Sequence, residues 1–581
     1  MIDKVMFEVL RHSFMSVVDE MSLMIEKVAH SLVVSAGRDF STAICLPEGA
    51  LVAEGNIDQP SHVGTLPATV RGTVEWLGLE NLRQGDVIIM NDPFIGGSHC
   101  QDVRTVKPVF WNDELICFVV NSAHWSDAGG PVPGSFNARV RDSYGEALHI
   151  SPVHLVRQGE MDKGVLNFIL RNIRVPELTR GDIMGQLAAV DLGEQRLHEL
   201  LERHGRDLIV NQMHDLIVHS EALVRAELAK LPDGVFEFTD YVDFDPLGDP
   251  DKPVPVALKL TIDGDRAIFD FSKSGAQAAG AINSPRSMTL SACAVSVKAI
   301  FPHIPQNGGI LNAIELIIPE DSVLNAKFPA PVNGTFATTY EKVVGSVFGC
   351  FMQVVPERCM VGSGNITNFV IGGHDPRAGF DKDFVLYVWR EAGYGARPGK
   401  KDNHTAMSLY SSGTRNEPVE LMERMFPVRS LRYSFLPDSG GAGKHRGGLG
   451  VARDIILTHG GGKLTALGDR AKVPAWGFGG GHSGGATALR LDPGTGEEQD
   501  IGVMATDVQV VGNQEIEFWA GGGGGWGDPA ERPVEWVLDD VIDEFVSIEA
   551  ARDVYRVVVR PDETVPYGYS VDENATAALR A

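Results

Sequence analysis

Cysteine is scarce: six residues (Cys45, Cys100, Cys117, Cys293, Cys350, Cys359) are scattered through 581, with no CxxC pair. That excludes a disulfide framework and a structural zinc knuckle, and points to reduced thiols in a reducing compartment. Basic residues are also short, 51 against 77 acidic ones, which gives a formal net charge of −26. A field of that sign repels phosphate backbones and anionic lipid, and no Lys/Arg cluster makes a local exception. Roles on nucleic acid and at a membrane surface are therefore not expected. No run approaches the roughly eighteen apolar residues of a membrane span. The first residues, MIDKVMFEVLRHSF, are charged and amphipathic, without the apolar centre of a signal peptide. The expectation is a soluble, cytoplasmic chain. A fixed-period repeat is missing too, so neither a solenoid nor a propeller is indicated.

Glycine, by contrast, is abundant, with 65 residues against a usual share of about 7%. Hydrophobic and charged contents of 43% and 22% are ordinary for a globular protein, and the length predicts two to four packed subdomains. Residues 3–34 carry apolar side chains at helical spacing (Val5, Val9, Phe14, Val17, Met21, Ile25, Val28) and predict one long amphipathic helix or two end to end. Short β segments follow: AICLP, ALVAEG, DVIIMND, TVKPVFW and ELICFVVNSA, with a hairpin around Trp111-Asn112-Asp113-Glu114. The pattern is helical again over 177–230 and β-rich over 235–272. A buried helix is expected over 286–301, then loops and short strands over 305–340. The last third alternates strands with glycine loops at 438–450, 476–485 and 520–529, before a terminal acidic helix within VEWVLDDVIDEFVSIEAARDVYRV. Without a run of βαβ units the class is α+β, a large mixed chain of several subdomains. The expected division is an N-terminal region over 1–230, a central α+β region over 231–420 and a Gly-rich C-terminal β region over 421–581.

The chemistry-bearing pattern lies in NDPFIGGSHCQDV at 91–103 and NSAHWSDAGG at 121–130, which bring His99, Asp102 and His124 within 26 positions between two Gly-Gly pairs. Two imidazoles and a carboxylate suit Zn²⁺ or Mn²⁺ with coordination positions left open; no thiolate is present to choose between them. A divalent ion in such a set lowers the pKa of bound water toward neutrality. Asp39, in GRDFS, and Asp127 are further carboxylates available as ligands or as their supports. Glu146, His149 and His154 follow closely, each read first as a structural group and second as a pocket residue.

The glycine loops do not hold a nucleotide. A phosphate-cradling P-loop needs GxxxxGK followed by Ser or Thr, whereas here His445 follows Lys444, and Asp438 stands where the first glycine belongs. GGGGGWGDP lacks the preceding βα pattern of a dinucleotide loop. Structural turns, or contacts to a partner chain, remain.

Read in order, RDFS at 38–41, HVGTLP at 62–67, NDPFIGGSHCQD at 91–102, AHWSDAGGPVPGS at 123–135, AINSP, QNGG, PAPVNG, DSGGAGKHRGGLG and GGGGWGDP resemble the hydantoinase B/oxoprolinase family. That family includes N-methylhydantoinase, 5-oxoprolinase and caprolactamase subunits or domains, and related subunits of acetone and acetophenone carboxylases. The resemblance makes 3–529 one continuous family unit. It implies metal ligands at His99, Asp102 and His124, which are also the catalytic residues, with Asp39 as a further ligand. It also implies a hydantoinase A-type partner that binds ATP and Mg²⁺, a heterotetramer, and a small cyclic amide (hydantoin, lactam or oxoproline-like ring) as substrate. The partner phosphorylates the carbonyl oxygen, and metal-activated water attacks here. Two alternatives are a subunit of an ATP-dependent ketone carboxylase and a non-catalytic scaffold for the ATP-binding subunit.

Overall fold

In the computed structural model, residues 4–403, 405–406 and 413–581 are described. Helices and several separate sheets are mixed along the chain, as an α+β fold requires. The first sheet has seven strands: β1 (Phe40–Cys45), β2 (Leu51–Glu54), β3 (Val87–Met90), β4 (Asp102–Trp111), β5 (Glu114–His124), β6 (Val153–Arg157) and β7 (Glu160–Met161). Their spatial order is β2-β1-β5-β4-β3-β6-β7. The strands read as apolar runs rather than alternating ones because both faces are covered. One face carries the helices Lys4–Val28 and Pro176–His204, the other the helix Thr65–Leu77. The expected hairpin joins β4 to β5 through Asn112 and Asp113, both at positive φ (49° and 65°), the requirement of a two-residue turn that follows the strand twist.

Helix 176–204 is fixed to the sheet by polar groups as well as by apolar packing. Gln186 donates to the Val103 carbonyl at 2.8 Å and to Asn121 Oδ1 at 3.0 Å. Asp182 accepts the backbone N–H of His30 and of Ser31, both at 2.9 Å, capping the turn that leaves the N-terminal helix. The helical stretch expected over 177–230 breaks once, at Gly205 (φ 81°), and resumes as Arg206–Leu228.

A second sheet of Gly234–Val242, Val254–Asp263, Arg266–Asp270 and Ile314–Ile317 packs against the helix Glu341–Phe351, behind which lies the buried helix Arg286–Ile300. The stretch expected as loops and strands over 305–340 also holds a short helix at Gly308–Asn312 and a π-helical turn at Phe336–Tyr340 running into Glu341–Phe351. Besides two two-stranded ladders, the described residues of the last third form two larger sheets, one containing Thr367–Asp375 and Lys382–Arg390, the other Val451–Leu457 and Glu515–Trp519. They share a core of Phe369, Ile371, Leu386, Val388, Ile455, Ile516 and Phe518. The terminal acidic helix is two, Val534–Ile542 and Ile548–Asp553. The backbone turns at Glu544 (φ 59°), and the N–H groups of Phe545 and Val546 fold back onto the Asp540 carbonyl.

The glycine loops lie against one another as bare backbone. Gly441 N–H reaches the Gly523 carbonyl at 2.7 Å, Gly524 the Gly362 carbonyl at 2.8 Å, Gly525 the His482 carbonyl at 2.9 Å, and Gly485 the Ser439 carbonyl at 2.7 Å. A Cβ on Gly447, Gly481, Gly484, Gly522, Gly523 or Gly524 would collide with a carbonyl of the adjoining segment. These glycines serve close approach rather than phosphate binding. All six cysteines are buried and unpaired. Among the described residues no helix is long and apolar enough to cross a membrane.

Candidate metal centre

β4 and β5 deliver the central residues directly. Asp102 opens β4, His124 closes β5, and the two are cross-strand partners in the register of the hairpin. Asp39 immediately precedes β1 on the other side of β5, and its carbonyl accepts the His124 N–H at 3.0 Å. His99 comes from the tight turn before β4 and is buried, as are the other three.

His99, Asp102 and His124 each offer one ligand atom within 4.8 Å of the others. Asp102 is the hub. Its Oδ2 lies 3.1 Å from His99 Nδ1 and 3.0 Å from His62 Nε2, and accepts the Ser98 hydroxyl at 2.5 Å; its Oδ1 lies 3.2 Å from His124 Nδ1. Asp39 stands at the margin, with Oδ2 3.8 Å from His124 Nδ1 and Oδ1 accepting from the Gln59 amide. Two buried atoms in this cluster have no hydrogen-bond partner, His124 Nε2 and Asp39 Oδ2. Orphaned buried polar atoms are rare and need a reason. A set of imidazoles and carboxylates without thiolate has the donor chemistry of a divalent-cation site, which would give both atoms a partner.

The electrostatics agree. Burial raises Asp102, but His99, His62 and the bond from His124 outweigh it and hold the carboxyl well below its usual range. Burial, then the neighbouring carboxylates Asp102 and Glu417, push Asp39 well above it. Burial and the proximity of His99 bring His124 down to about 4, so its ring is neutral at neutral pH, as a ligand must be. Glu417, itself pushed up to about 7 by burial, shares a narrow opening with Asp39, Trp389 and Arg415.

Aromatic rings close the site. Tyr387 stacks on His124 with centroids 4.6 Å apart and is held by its hydroxyl bond to Asn368 Oδ1 at 3.0 Å. Phe336, at the π-helical turn, meets the His99 ring edge-on at 5.0 Å, and Phe136 lies 6.0 Å from both histidines. Residues between 231 and 420, Phe336 and Tyr387, thus supply walls to a centre built by the N-terminal sheet.

Of the sequence-derived residues, His99, Asp102 and His124 converge, with Asp39 beside them. Asp127 is engaged elsewhere, in an ion pair with Arg174 at 2.9 Å and a bond from Gly134 N–H at 3.0 Å. Glu146 accepts the N–H groups of Val332 and Asn333, His149 donates to the Ser143 carbonyl, and His154 pairs with Asp86; none belongs to the cluster. Sequence reasoning misses His62, although it stands first in HVGTLP. It bridges Ser41 Oγ, at 2.8 Å from Nδ1, to Asp102. Nothing in the sequence signals Tyr387 or Phe336.

This multi-sheet architecture is that of solved lactam- and ketone-processing enzymes. The caprolactamase crystal structure from Pseudomonas jessenii superposes with a TM-score of 0.89 at 30% identity, covering 100% of both chains. Nucleotide-free acetone carboxylase matches in fold alone, with a TM-score of 0.89 at 20% identity over 100% of this chain and 82% of that one. Residues 3–529 match the hydantoinase B/oxoprolinase family, and the chain belongs to it. In sequence it is 31% identical to the caprolactamase β chain of Pseudomonas jessenii, over 100% of this chain and 99% of that one. It is 30% identical to the B-type subunit of a putative D-/L-hydantoinase from Pseudomonas sp. (strain NS671), over 97% of each.

Proposed function

We propose that this chain is the metal-bearing subunit of an ATP-dependent hydrolase of cyclic amides, whose ATP-binding partner is of the hydantoinase A type. The observation that carries the reading is the buried His99–Asp102–His124 cluster with its orphaned His124 Nε2 and Asp39 Oδ2. It sits in a chain similar along its whole length to the β chain of a caprolactamase and to a hydantoinase B-type chain.

An unstrained lactam is a poor electrophile, and phosphorylation of its carbonyl oxygen by the partner makes the carbon attackable. Water then adds at that carbon and the C–N bond breaks with proton transfer to nitrogen. The acyl phosphate left behind gives carboxylate and phosphate with a second water. Held by His99, Asp102, His124 and Asp39, a Zn²⁺ or Mn²⁺ ion would supply Lewis acidity and a lowered pKa for water. The chain's own residues orient this set. Ser98 and His62 fix the Asp102 carboxylate, Gln59 fixes Asp39, and Tyr387, Phe136 and Phe336 keep bulk water from the ligand rings. Ketone carboxylation shares the fold, but the lower identity to acetone carboxylase favours the hydrolase.

The test is co-expression with the ATP-binding partner and a ring-opening assay on hydantoins, oxoproline and simple lactams. ATP-dependent opening of one class is expected; equal rates without ATP would sink the mechanism.

A further inference from the structure

The QNGG motif plays no part in the metal centre. Its Gln306 and Asn307 line a separate cleft of about 520 Å³ between the N-terminal helix, helix 206–228, β2 and the 303–307 loop, a volume suited to a small organic ligand. Glu54, the last residue of β2, is a wall of this cleft and only 3% exposed. Its Oε2 accepts the Gln306 amide at 2.7 Å, while its Oε1 is buried and has no partner. Asp58, the neighbouring buried acid, is fully engaged by Ser22 at 2.6 Å and by the backbone and hydroxyl of Thr42 at 2.6 and 3.0 Å. Glu54 is therefore the carboxyl with capacity to spare. Burial pushes it well above its ordinary range, a penalty that an entering cation relieves. The cleft is also lined by Arg11, whose guanidinium is partly exposed and paired with Glu8 at 2.7 Å.

We infer that this cleft binds a small amino acid, its ammonium group on Glu54 and its carboxylate on Arg11. The demand for a cation comes from Glu54 alone. The choice of an amino acid rests on the ring-opening reading, since hydrolysis of a lactam leaves an amine and a carboxylate on one molecule. The cleft backs onto the metal centre through one short turn. Asp58 and Pro60 face the cleft, whereas Gln59 holds Asp39 and His62 holds Asp102. A ring-opened product lodged there would press on the turn that orients two of the four ligands.

Calorimetric titration of the full chain with ε-aminocaproate, hexylamine and hexanoate tests this. Both amines should bind at millimolar concentration or below, and hexanoate at least about tenfold more weakly. Glu54→Gln, with its melting temperature retained, should weaken both amines by about tenfold or more. Arg11→Ala, a change at a partly exposed site, should weaken ε-aminocaproate and leave hexylamine unchanged. No amine binding, equal binding of hexanoate and hexylamine, wild-type affinity in folded Glu54→Gln, or no selective loss in Arg11→Ala would each overturn the proposal. Glu54-dependent amine binding by a chain that opens no ring would keep the cation site and remove the hydrolase reading. Ring opening without amine binding would do the reverse.

Discussion

At the scale of single residues, the proposed centre separates groups that would hold a metal from groups that hold the fold. His99→Ala should abolish stoichiometric metal binding, measured by elemental analysis of the purified chain. His62→Gln removes only the support behind Asp102, and such outer-shell losses cost about 10–100-fold in metal affinity; competition with a chromogenic chelator reads that shift. Asp127→Asn should leave metal content unchanged but lower the melting temperature, because it breaks the Arg174 pair and the bonds that order the 127–134 turn. From sequence, Asp127 and Asp102 look alike, both acids beside a histidine. Arg174, 47 positions on, decides between them, and no local pattern reveals so distant a partner. His62 is hidden in the same way, since its bond to Asp102 spans 40 positions.

The elements show a similar division. β1, β4, β5 and their hairpin are legible because strands covered on both faces are written as apolar runs with turn residues between them. Helix 65–77 is faint because Pro67 and Gly72 depress its helical propensity. Helix 341–351 does repeat apolar residues at helical spacing (Val343, Val344, Val347, Phe348, Phe351), but Gly345 and Gly349 depress its propensity, and its burial on every side, Glu341 and Lys342 included, depends on distant elements. Gly72 has a packing purpose: a Cβ there would run into the Ile95 carbonyl, on the turn that leads to His99. Gly72→Ala should therefore shift that turn, and the variant should lose metal at chelator concentrations the wild type withstands while its far-UV circular dichroism stays native.

Over the whole molecule, buried acids set the pH response. Burial raises Glu146 to about 8, Asp58 and Glu417 to about 7, and Asp182 and Asp469 to about 6. The folded chain keeps protons that the unfolded chain releases near the ordinary carboxyl value of about 4. Their contribution to stability is thus complete below that value and lost as pH rises through about 6 to 8. Asp240 and Glu391, lowered by Arg470 and Arg453 against the cost of burial, act in the opposite sense and lose stability as acid protonates them. Thermal melts of the metal-free chain should peak under mildly acidic conditions and fall toward pH 8, and Glu146→Gln should flatten that fall. The sequence shows the acidic excess but not which carboxyls are enclosed.

The stacked glycine loops of the last third carry a consequence for the gene. Every glycine codon lies one base from an alanine codon, ordinarily among the mildest of missense changes. Where Gly447, Gly481 and Gly522–Gly524 lie carbonyl to backbone, that same substitution forces two chain segments apart. A saturation library over this third should show alanine purged as stringently as aspartate, a band of intolerance far in sequence from the proposed metal ligands.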